Sequence, residues 1–129
     1  MTRDEERAIE HDCARLIALY ANLNDAGAWK NVAELFTVRA RLARPTAPDD
    51  WIEGRAAILA AFLARPARTT RHLCTNIVIT VLGEDDARGE SAMAVFLAND
   101  TVKVGSFHDH IVRTQAGWRF AERRGALAF

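Results

Sequence analysis

The stretch from residue 70 to residue 114 reads TRHLCTNIVITVLGEDDARGESAMAVFLANDTVKVGSFHDHIVRT and decides the fold. Its apolar and β-branched segments are interrupted at residues 83–86 and 99–100, which have the composition of tight turns. The pattern predicts long strands that pair antiparallel in one meander. Together with a last strand after the turn at residues 115–117, the predicted strands are 70–82, 87–98, 101–114 and 118–124.

The first half of the chain has a helical pattern instead. Thr2 and Glu5 have the spacing of a capping box, and apolar residues recur every three or four positions from Ile9 to Leu23. Residues 24–27 end this helix. The remaining predicted elements are a helix at 28–36, a strand at 37–44, a short strand at 51–53 and a helix at 55–63. Helices followed by long strands predict an α+β fold, with the helices on one face of a curved antiparallel sheet.

Length and charge narrow the classes of function. We expect one domain spanning residues 1–129, whose 17 basic residues balance 17 acidic ones. Such a neutral surface gives no electrostatic reason to bind nucleic acid or a membrane. The charged N-terminus is unlike a secretory signal, and Cys13 and Cys74 fit reduced thiols in a cytoplasmic protein. No glycine-rich phosphate loop indicates an organic cofactor, so we expect none.

Two residues carry the most specific chemistry, Asp25 at the end of the first helix and His72 near the start of the longest strand. If the carboxylate contacts the imidazole inside an apolar cavity, it orients the ring and the pair forms a general base. The alternative is a histidine bonded to a backbone carbonyl and an aspartate that caps a turn. Asn76 shares strand parity with His72, so both are expected to face the cavity.

Other residues are candidates for the cavity wall. Tyr20 could direct its hydroxyl inward as a hydrogen-bond donor, although a core tyrosine with a satisfied hydroxyl fits the pattern as well. For each of the others, ordinary core packing is the alternative. These candidate substrate-binding residues are Trp29, Phe36, Trp51, Phe62, Met93 and Phe96.

A metal site deserves consideration because His108 and His110 lie on one face of their strand. His72 and Cys74 do the same on another strand, and four such side chains could bind a metal. The alternation equally allows residues 107, 109 and 111 to face inward, which leaves both histidines outside. We therefore predict no metal site.

Motifs spread from residue 5 to residue 124 follow one pattern in order. They are Tyr20, Asp25 and Trp29, then 35–37, 54–58, 71–73 with Asn76, Gly105 with Asp109, and 117–119 with Arg123. In these motifs the chain resembles the SnoaL-like family, part of the cone-shaped superfamily named after nuclear transport factor two. The resemblance implies a bent sheet closed by three helices around an apolar cavity. Asp109 and Arg123 are expected to form a structural ion pair.

Within this superfamily, scytalone dehydratase and hexachlorocyclohexane dehydrochlorinase use an Asp–His pair, and Asp25 and His72 fall at matching places. Phe107 occupies a position where the family commonly has tyrosine. The resemblance implies a lyase or isomerase for a hydrophobic, cyclic substrate, with Tyr20 and Asn76 polarising it. The alternative is a non-catalytic ligand-binding or accessory protein of the same fold. The resemblance to this superfamily also implies a homodimer through the outer face of the sheet.

Overall fold

The structure, a computed structural model, describes residues 1–129 and contains three helices and six strands. The helices are α1 (Arg3–Asp25), α2 (Trp29–Ala33) and α3 (Arg55–Leu63). The strands are β1 (Phe36–Ala43), β2 (Trp51–Glu53), β3 (Thr70–Gly83), β4 (Asp86–Leu97), β5 (Val102–Thr114) and β6 (Gly117–Leu127). The predicted α+β fold class is confirmed.

All strands belong to one curved sheet in the order β2-β1-β6-β5-β4-β3. Strands β3 to β6 form the predicted antiparallel meander. The sheet is mixed because β1 pairs parallel with β6. The meander supplies most of the sheet, and the helices cover its inner face.

Helix α1 begins and ends where local chemistry dictates. The Thr2 hydroxyl accepts a hydrogen bond from the Glu5 backbone at 3.1 Å, and the Glu5 carboxylate accepts one from the Thr2 backbone at 2.7 Å. The helix ends at Asp25, and Gly27 adopts a φ of +67° that turns the chain away. This stop fixes the position of the Asp25 carboxylate.

Helix α2 is shorter than the sequence pattern predicts. The expected helix at 28–36 ends at Ala33, and Phe36 already begins β1. Phe36 pairs with Phe120, and the Phe120 backbone donates a hydrogen bond to Leu35 at 2.8 Å. Strand pairing with β6 therefore replaces the last helical turn, and the prediction for this turn is wrong.

Strand β3 contains an irregularity that the sequence pattern does not reveal. The pairing with β4 shifts register between Thr75 and Val78, and Asn76 adopts a φ of +53°. Beyond this bulge Ile77 turns inward, whereas Asn76 and Val78 are exposed. The prediction that Asn76 shares the inward face with His72 is therefore wrong.

The core lies between α1 and the inner face of the sheet. It consists of 19 buried apolar residues, and α1 contributes its stripe from Ile9 to Tyr20. None of the helices is both long enough and apolar enough to cross a membrane. The largest of the fully buried apolar side chains are Phe36, Phe62, Phe120, Ile17, Leu42, Ile58 and Ile111.

Candidate active site

A cavity of about 300 Å³ opens where the ends of several strands converge. This volume lies at the lower end of the range for small-molecule sites. The buried part of its lining is largely apolar, and Arg65 and Arg68 of the connection between α3 and β3 also line it. The apolar lining residues are Met93, Val95, Leu97, Phe107 and Leu127, joined by Pro45.

Asp25 and His72 meet at one side of this cavity. His72 Nδ1 lies 2.5 Å from Asp25 Oδ1, and the His72 backbone N–H donates to Asp25 Oδ2 at 2.8 Å. The Thr70 hydroxyl also donates to Asp25 Oδ1, at 2.9 Å. The side chains of His72 and Asp25 are only 14% and 8% exposed. Three donors from the start of β3 therefore hold a nearly buried carboxylate at the end of α1.

These contacts determine which imidazole nitrogen of His72 is available to accept a proton. An ionised carboxylate can only accept hydrogen bonds, so Nδ1 of His72 carries the hydrogen that points to Asp25. In the neutral ring, Nε2 then keeps its lone pair. His72 lines the cavity, whereas Asp25 lies behind it. The arrangement can accept a proton from a molecule in the cavity and stabilise the resulting imidazolium.

Tyr20 is the other polar aromatic group of the lining. Burial raises the pKa of Tyr20, although the charges of Arg123 and Arg65 partly oppose this effect. The phenol therefore stays neutral and can donate a hydrogen bond. The neighbouring Asn24 is held by its own side chain, whose Nδ2 donates to the Tyr20 carbonyl at 3.0 Å.

The predicted aromatic wall is only partly present. Met93 lines the cavity, and Trp29 lines a recess of about 10 Å³ beside His72. Phe62 stacks on Trp29 with ring centroids 5.3 Å apart and is buried in the core, as is Phe36. Phe36 and Phe62 support the cavity from behind and do not line it.

Two other predicted wall residues lie elsewhere. Trp51 packs under the Arg41 guanidinium, 3.9 Å from its ring centroid, and Phe96 is exposed. Met93 and Val95 point inward on β4, and alternation places Phe96 on the opposite face. Met93 and Phe96, three positions apart, cannot face the same side of a regular strand. The predictions for Trp51, Phe96 and Asn76 as lining residues are wrong.

Sequence reasoning missed the charged part of the lining. Four cationic side chains line the cavity and are partly or fully exposed, which places them at its opening, and the lining contains no acidic residue. They come from separate segments, where each has the ordinary pattern of a solvent-facing charge. No local signal identifies them as a group. They are Arg44, Arg65, Arg68 and Lys103.

His108 and His110 lie on the outer face of β5. His110 Nε2 is 2.5 Å from Asp86 Oδ1, with side chains that are 42% and 47% exposed. His72 and Cys74 lie on the inner side of β3, so the two pairs do not converge. No group of three or more potential metal ligands occurs in the structure.

Asp109 and Arg123 form the predicted pair across β5 and β6, completely buried behind Tyr20. Their Oδ1 and Nε atoms are 3.6 Å apart, and no hydrogen bond reaches either charged group. Burial raises the pKa of Asp109 to about 6, although the Arg123 charge partly opposes this effect. The Arg123 guanidinium lies against three ring faces, at 3.8 Å from Phe107, 4.3 Å from Tyr20 and 4.6 Å from Phe120.

Several solved structures have the same fold. A provisionally named scytalone dehydratase from Novosphingobium aromaticivorans is 19% identical, with a TM-score of 0.87 over 99% of this chain and 89% of its own. A variant of Rv3472, a protein of unknown function from Mycobacterium tuberculosis, is 28% identical, with a TM-score of 0.83 over 98% of this chain and 76% of its own. A type 2 hexachlorocyclohexane dehydrochlorinase (LinA) is 14% identical, with a TM-score of 0.83 over 99% of this chain and 90% of its own.

No curated protein matches this chain significantly. The SnoaL-like domain family matches residues 5–124. This match includes nearly all of α1, every cavity-lining residue except Leu127, and both members of the Asp25–His72 pair. The chain therefore belongs to the SnoaL-like domain family.

Proposed function

We propose that this protein is a lyase or isomerase that removes a proton from a hydrophobic, cyclic substrate. One observation carries the proposal: the Asp25–His72 contact borders a cavity whose buried lining is largely apolar. An oriented imidazole in such a place has the geometry of a general base. The similarity in fold to a dehydratase and a dehydrochlorinase supports this class of reaction.

The elimination can be written so that atoms and electrons balance. His72 Nε2 takes a proton from a carbon next to an electron-withdrawing group. The electrons of the C–H bond form a C=C bond, and the leaving group departs from the adjacent carbon with its electron pair. Asp25 stabilises the imidazolium that forms, because its carboxylate already contacts Nδ1. In an isomerisation, the same proton returns at another carbon.

Tyr20 is suited to the other half of this reaction. Its neutral phenol borders the same cavity and can donate a hydrogen bond to the leaving group or to the oxygen on which charge develops. Met93 and Phe107 provide an apolar wall that excludes water and so strengthens these interactions. Phe107 offers no second phenol in this cavity.

A ligand-binding or accessory protein is the second candidate, and one contact favours it. Asp25 Oδ2 accepts the His72 backbone N–H, so the carboxylate also holds the start of β3 against α1. A carboxylate with this structural duty does not need to support catalysis. In this alternative, the same cavity binds a hydrophobic ligand without turnover.

The outer sheet face supports a homodimer in either case. Several apolar side chains on this face are at least two-fifths exposed, and exposed apolar residues gathered on one face are typical of a protein–protein interface. A second copy would cover them, and sedimentation of the purified protein would reveal it. The exposed apolar residues are Leu73, Val78, Leu82, Phe96 and Val102.

The free thiols Cys13 and Cys74 are compatible with a reducing, cytoplasmic setting.

An activated probe tests the base without knowledge of the natural substrate. In 5-nitrobenzisoxazole, loss of one carbon-bound proton breaks the N–O bond and releases a coloured phenolate. We expect the wild-type protein to accelerate this reaction and His72→Ala to lose about a thousandfold in rate. His110→Ala is the matched control, because His110 also contacts an aspartate at 2.5 Å but lies outside the cavity.

A screen of aromatic and alicyclic compounds, including hexachlorocyclohexane, complements this probe. Each compound is first tested for thermal stabilisation of the protein and then for turnover. Turnover that disappears in His72→Ala and survives in His110→Ala supports the enzyme. Ligands that stabilise the wild type and His72→Ala equally, with no turnover by either, favour the binding protein.

A further inference from the structure

The opening of the cavity is charged in a way that the proposed function does not explain. We define the cationic rim as Arg44, Arg65, Arg68 and Lys103, which all line the cavity. Arg44 follows β1, Arg65 and Arg68 lie in the connection between α3 and β3, and Lys103 lies near the start of β5. The fold therefore brings charges from three distant parts of the chain to one opening.

No acidic group neutralises the cationic rim. None of its members lies within 4.0 Å of a carboxylate, whereas arginines elsewhere, such as Arg41 and Arg124, contact Glu122 and Asp49 at 2.8 and 2.7 Å. The cavity lining contains no aspartate or glutamate. Asp25 lies close by, but its oxygens are already occupied by Thr70 and His72. The rim therefore presents unopposed positive charge to a molecule in the cavity.

The positive charges of the cationic rim also repel one another. The pKa of Arg65 is lowered, first by partial burial and then by the nearby charges of Arg68 and Arg44. An anion among these side chains would relieve that repulsion. Like charges gathered at a cavity without compensation are typical of a site whose counter-charge arrives with the ligand.

Arg65 lies within cation–π distance of two aromatic rings. Its guanidinium carbon lies 5.8 Å from the ring centroid of Trp29 and 5.4 Å from that of Phe62. A guanidinium positioned on aromatic faces still directs its N–H groups outward for a planar anion. The stacked Trp29 and Phe62 rings thus offer aromatic faces next to the Arg65 guanidinium.

We propose that the cationic rim binds an anionic substituent, such as a carboxylate or a phosphate, on a ligand whose cyclic apolar body fills the cavity beside His72. The inference rests on the proposed function, because both use the same cavity. It narrows the substrate class from hydrophobic compounds to amphipathic anions. The rim holds the anionic group, and Met93, Val95 and Phe107 contact the ring.

Matched naphthalene compounds provide the test. Binding of 2-naphthoate, 2-naphthyl phosphate and neutral 2-naphthamide is measured by calorimetry at low and high salt. We expect the wild type to bind an anion at least about tenfold more tightly than the amide, with this preference weakened by salt. A stronger preference for naphthoate identifies a carboxylate, and a stronger preference for naphthyl phosphate identifies a phosphate.

Charge-removing variants locate the effect. Arg65→Gln and Arg68→Gln should each weaken binding of the preferred anion by about tenfold and change binding of the amide by less than about twofold. Arg39→Gln is the control, because Arg39 is exposed on β1, lies outside the cavity and makes no ion pair. Thermal unfolding of each variant verifies that it is folded.

Equal affinity for the anions and the amide would overturn the inference, as would anion binding that Arg39→Gln weakens as much as Arg65→Gln. A wild-type protein that binds none of the three compounds at millimolar concentration would also overturn it. This binding experiment is independent of the test of His72 as a general base. His72→Ala should retain the anion preference even if turnover is lost, and turnover without anion preference would reject the rim alone.

Discussion

Asp25 and Asp109 are both almost inaccessible carboxylates on the inner side of the fold, yet their surroundings differ. Asp25 accepts hydrogen bonds from the Thr70 hydroxyl, the His72 backbone and the His72 ring. Asp109 accepts none and has only the Arg123 guanidinium nearby, at 3.6 Å. Both lie close to a potential cation, so the difference lies in hydrogen bonding.

A neighbouring positive charge does not replace hydrogen-bond donors to a buried carboxylate. Burial raises the pKa of Asp109 to about 6 even though Arg123 opposes the change. Arg123 itself is directed to the faces of Phe107, Tyr20 and Phe120, which compete with Asp109 for its charge. Three hydrogen-bond donors hold the Asp25 carboxylate in position. The Asp109 carboxylate is buried without any donor, so the cost of removing its charge from water is poorly compensated.

Asp25→Asn is expected to have the largest effect on activity, because it alters the carboxylate that accepts three hydrogen bonds. The amide can donate to His72 Nδ1 and so favours the tautomer in which Nε2 carries the hydrogen. We expect the elimination rate with 5-nitrobenzisoxazole to fall by about a thousandfold. The amide nitrogen then takes the place of Oδ1, which accepts from the Thr70 hydroxyl, while the remaining oxygen still accepts from the His72 backbone. Urea unfolding should therefore show a loss of about 2 kcal/mol.

Asp86→Asn is the control for this change. It alters an aspartate that contacts His110 at the same 2.5 Å distance on the exposed face. Activity should be unchanged, and stability should change by less than about 1 kcal/mol. Equal losses in both variants would mean that the burial and the donors around Asp25 are irrelevant.

Asp109→Asn should have the opposite effect on stability. A carboxyl with a higher pKa in the folded state binds more protons when folded, so its contribution to stability is lost as the pH rises from 3.8 to about 6. The amide does not ionise and avoids this loss. At about pH 7, Asp109→Asn should be more stable than the wild type by up to about 3 kcal/mol, and the difference should shrink towards about pH 4.

Urea unfolding of both proteins across this pH range measures the difference. Asp12→Asn, an exposed position on α1, should show no such pH dependence. A destabilised Asp109→Asn at neutral pH would show that the Asp109–Arg123 attraction outweighs the cost of burial. That result would remove the contrast between the two carboxylates.

Much of the fold could be predicted because its signals are local. The Thr2–Glu5 capping box and the turns at residues 83–86 and 99–100 each depend on a few neighbouring residues. The bulge at Asn76 could not be predicted, because it arises from pairing between β3 and β4 over several residues. The end of α2 likewise depends on pairing between β1 and β6, which are far apart in sequence.

The candidate site divides in the same way. The expected meeting of Asp25 and His72 agrees with the geometry, because the family resemblance supplied long-range information that local patterns lack. Its catalytic role stays a prediction. The cationic rim was not foreseen, since Arg65 and Lys103 have no sequence signal that relates them. The prediction for Phe96 is wrong because side chains alternate along β4 and Met93 faces inward.

Thr70→Val removes one of the three donors to Asp25. The Thr70 hydroxyl lies 2.9 Å from Oδ1, the oxygen that also contacts His72 Nδ1. We expect about a tenfold fall in elimination rate and about 1 kcal/mol of destabilisation. Thr70→Ser should restore both, and Thr80→Val, on the exposed face of the same strand, should change neither. Full activity in Thr70→Val would show that the backbone and ring contacts suffice to position Asp25.

The smallest expected effect on stability concerns Ser91. Like the Asp109 carboxylate, its hydroxyl has no hydrogen-bond partner. Its hydroxyl is buried without a hydrogen bond, and it lies on β4 two residues beyond Gly89, which pairs with Asp109. Ser91→Ala removes this unpaired group without leaving another behind, so stability should rise by about 0.5 kcal/mol in urea unfolding. Ser106→Ala, at a half-exposed position on β5, is the control. A loss above about 1 kcal/mol in Ser91→Ala alone would mean that the folded protein does pair this hydroxyl, and that the region around Asp109 is better bonded than its geometry indicates.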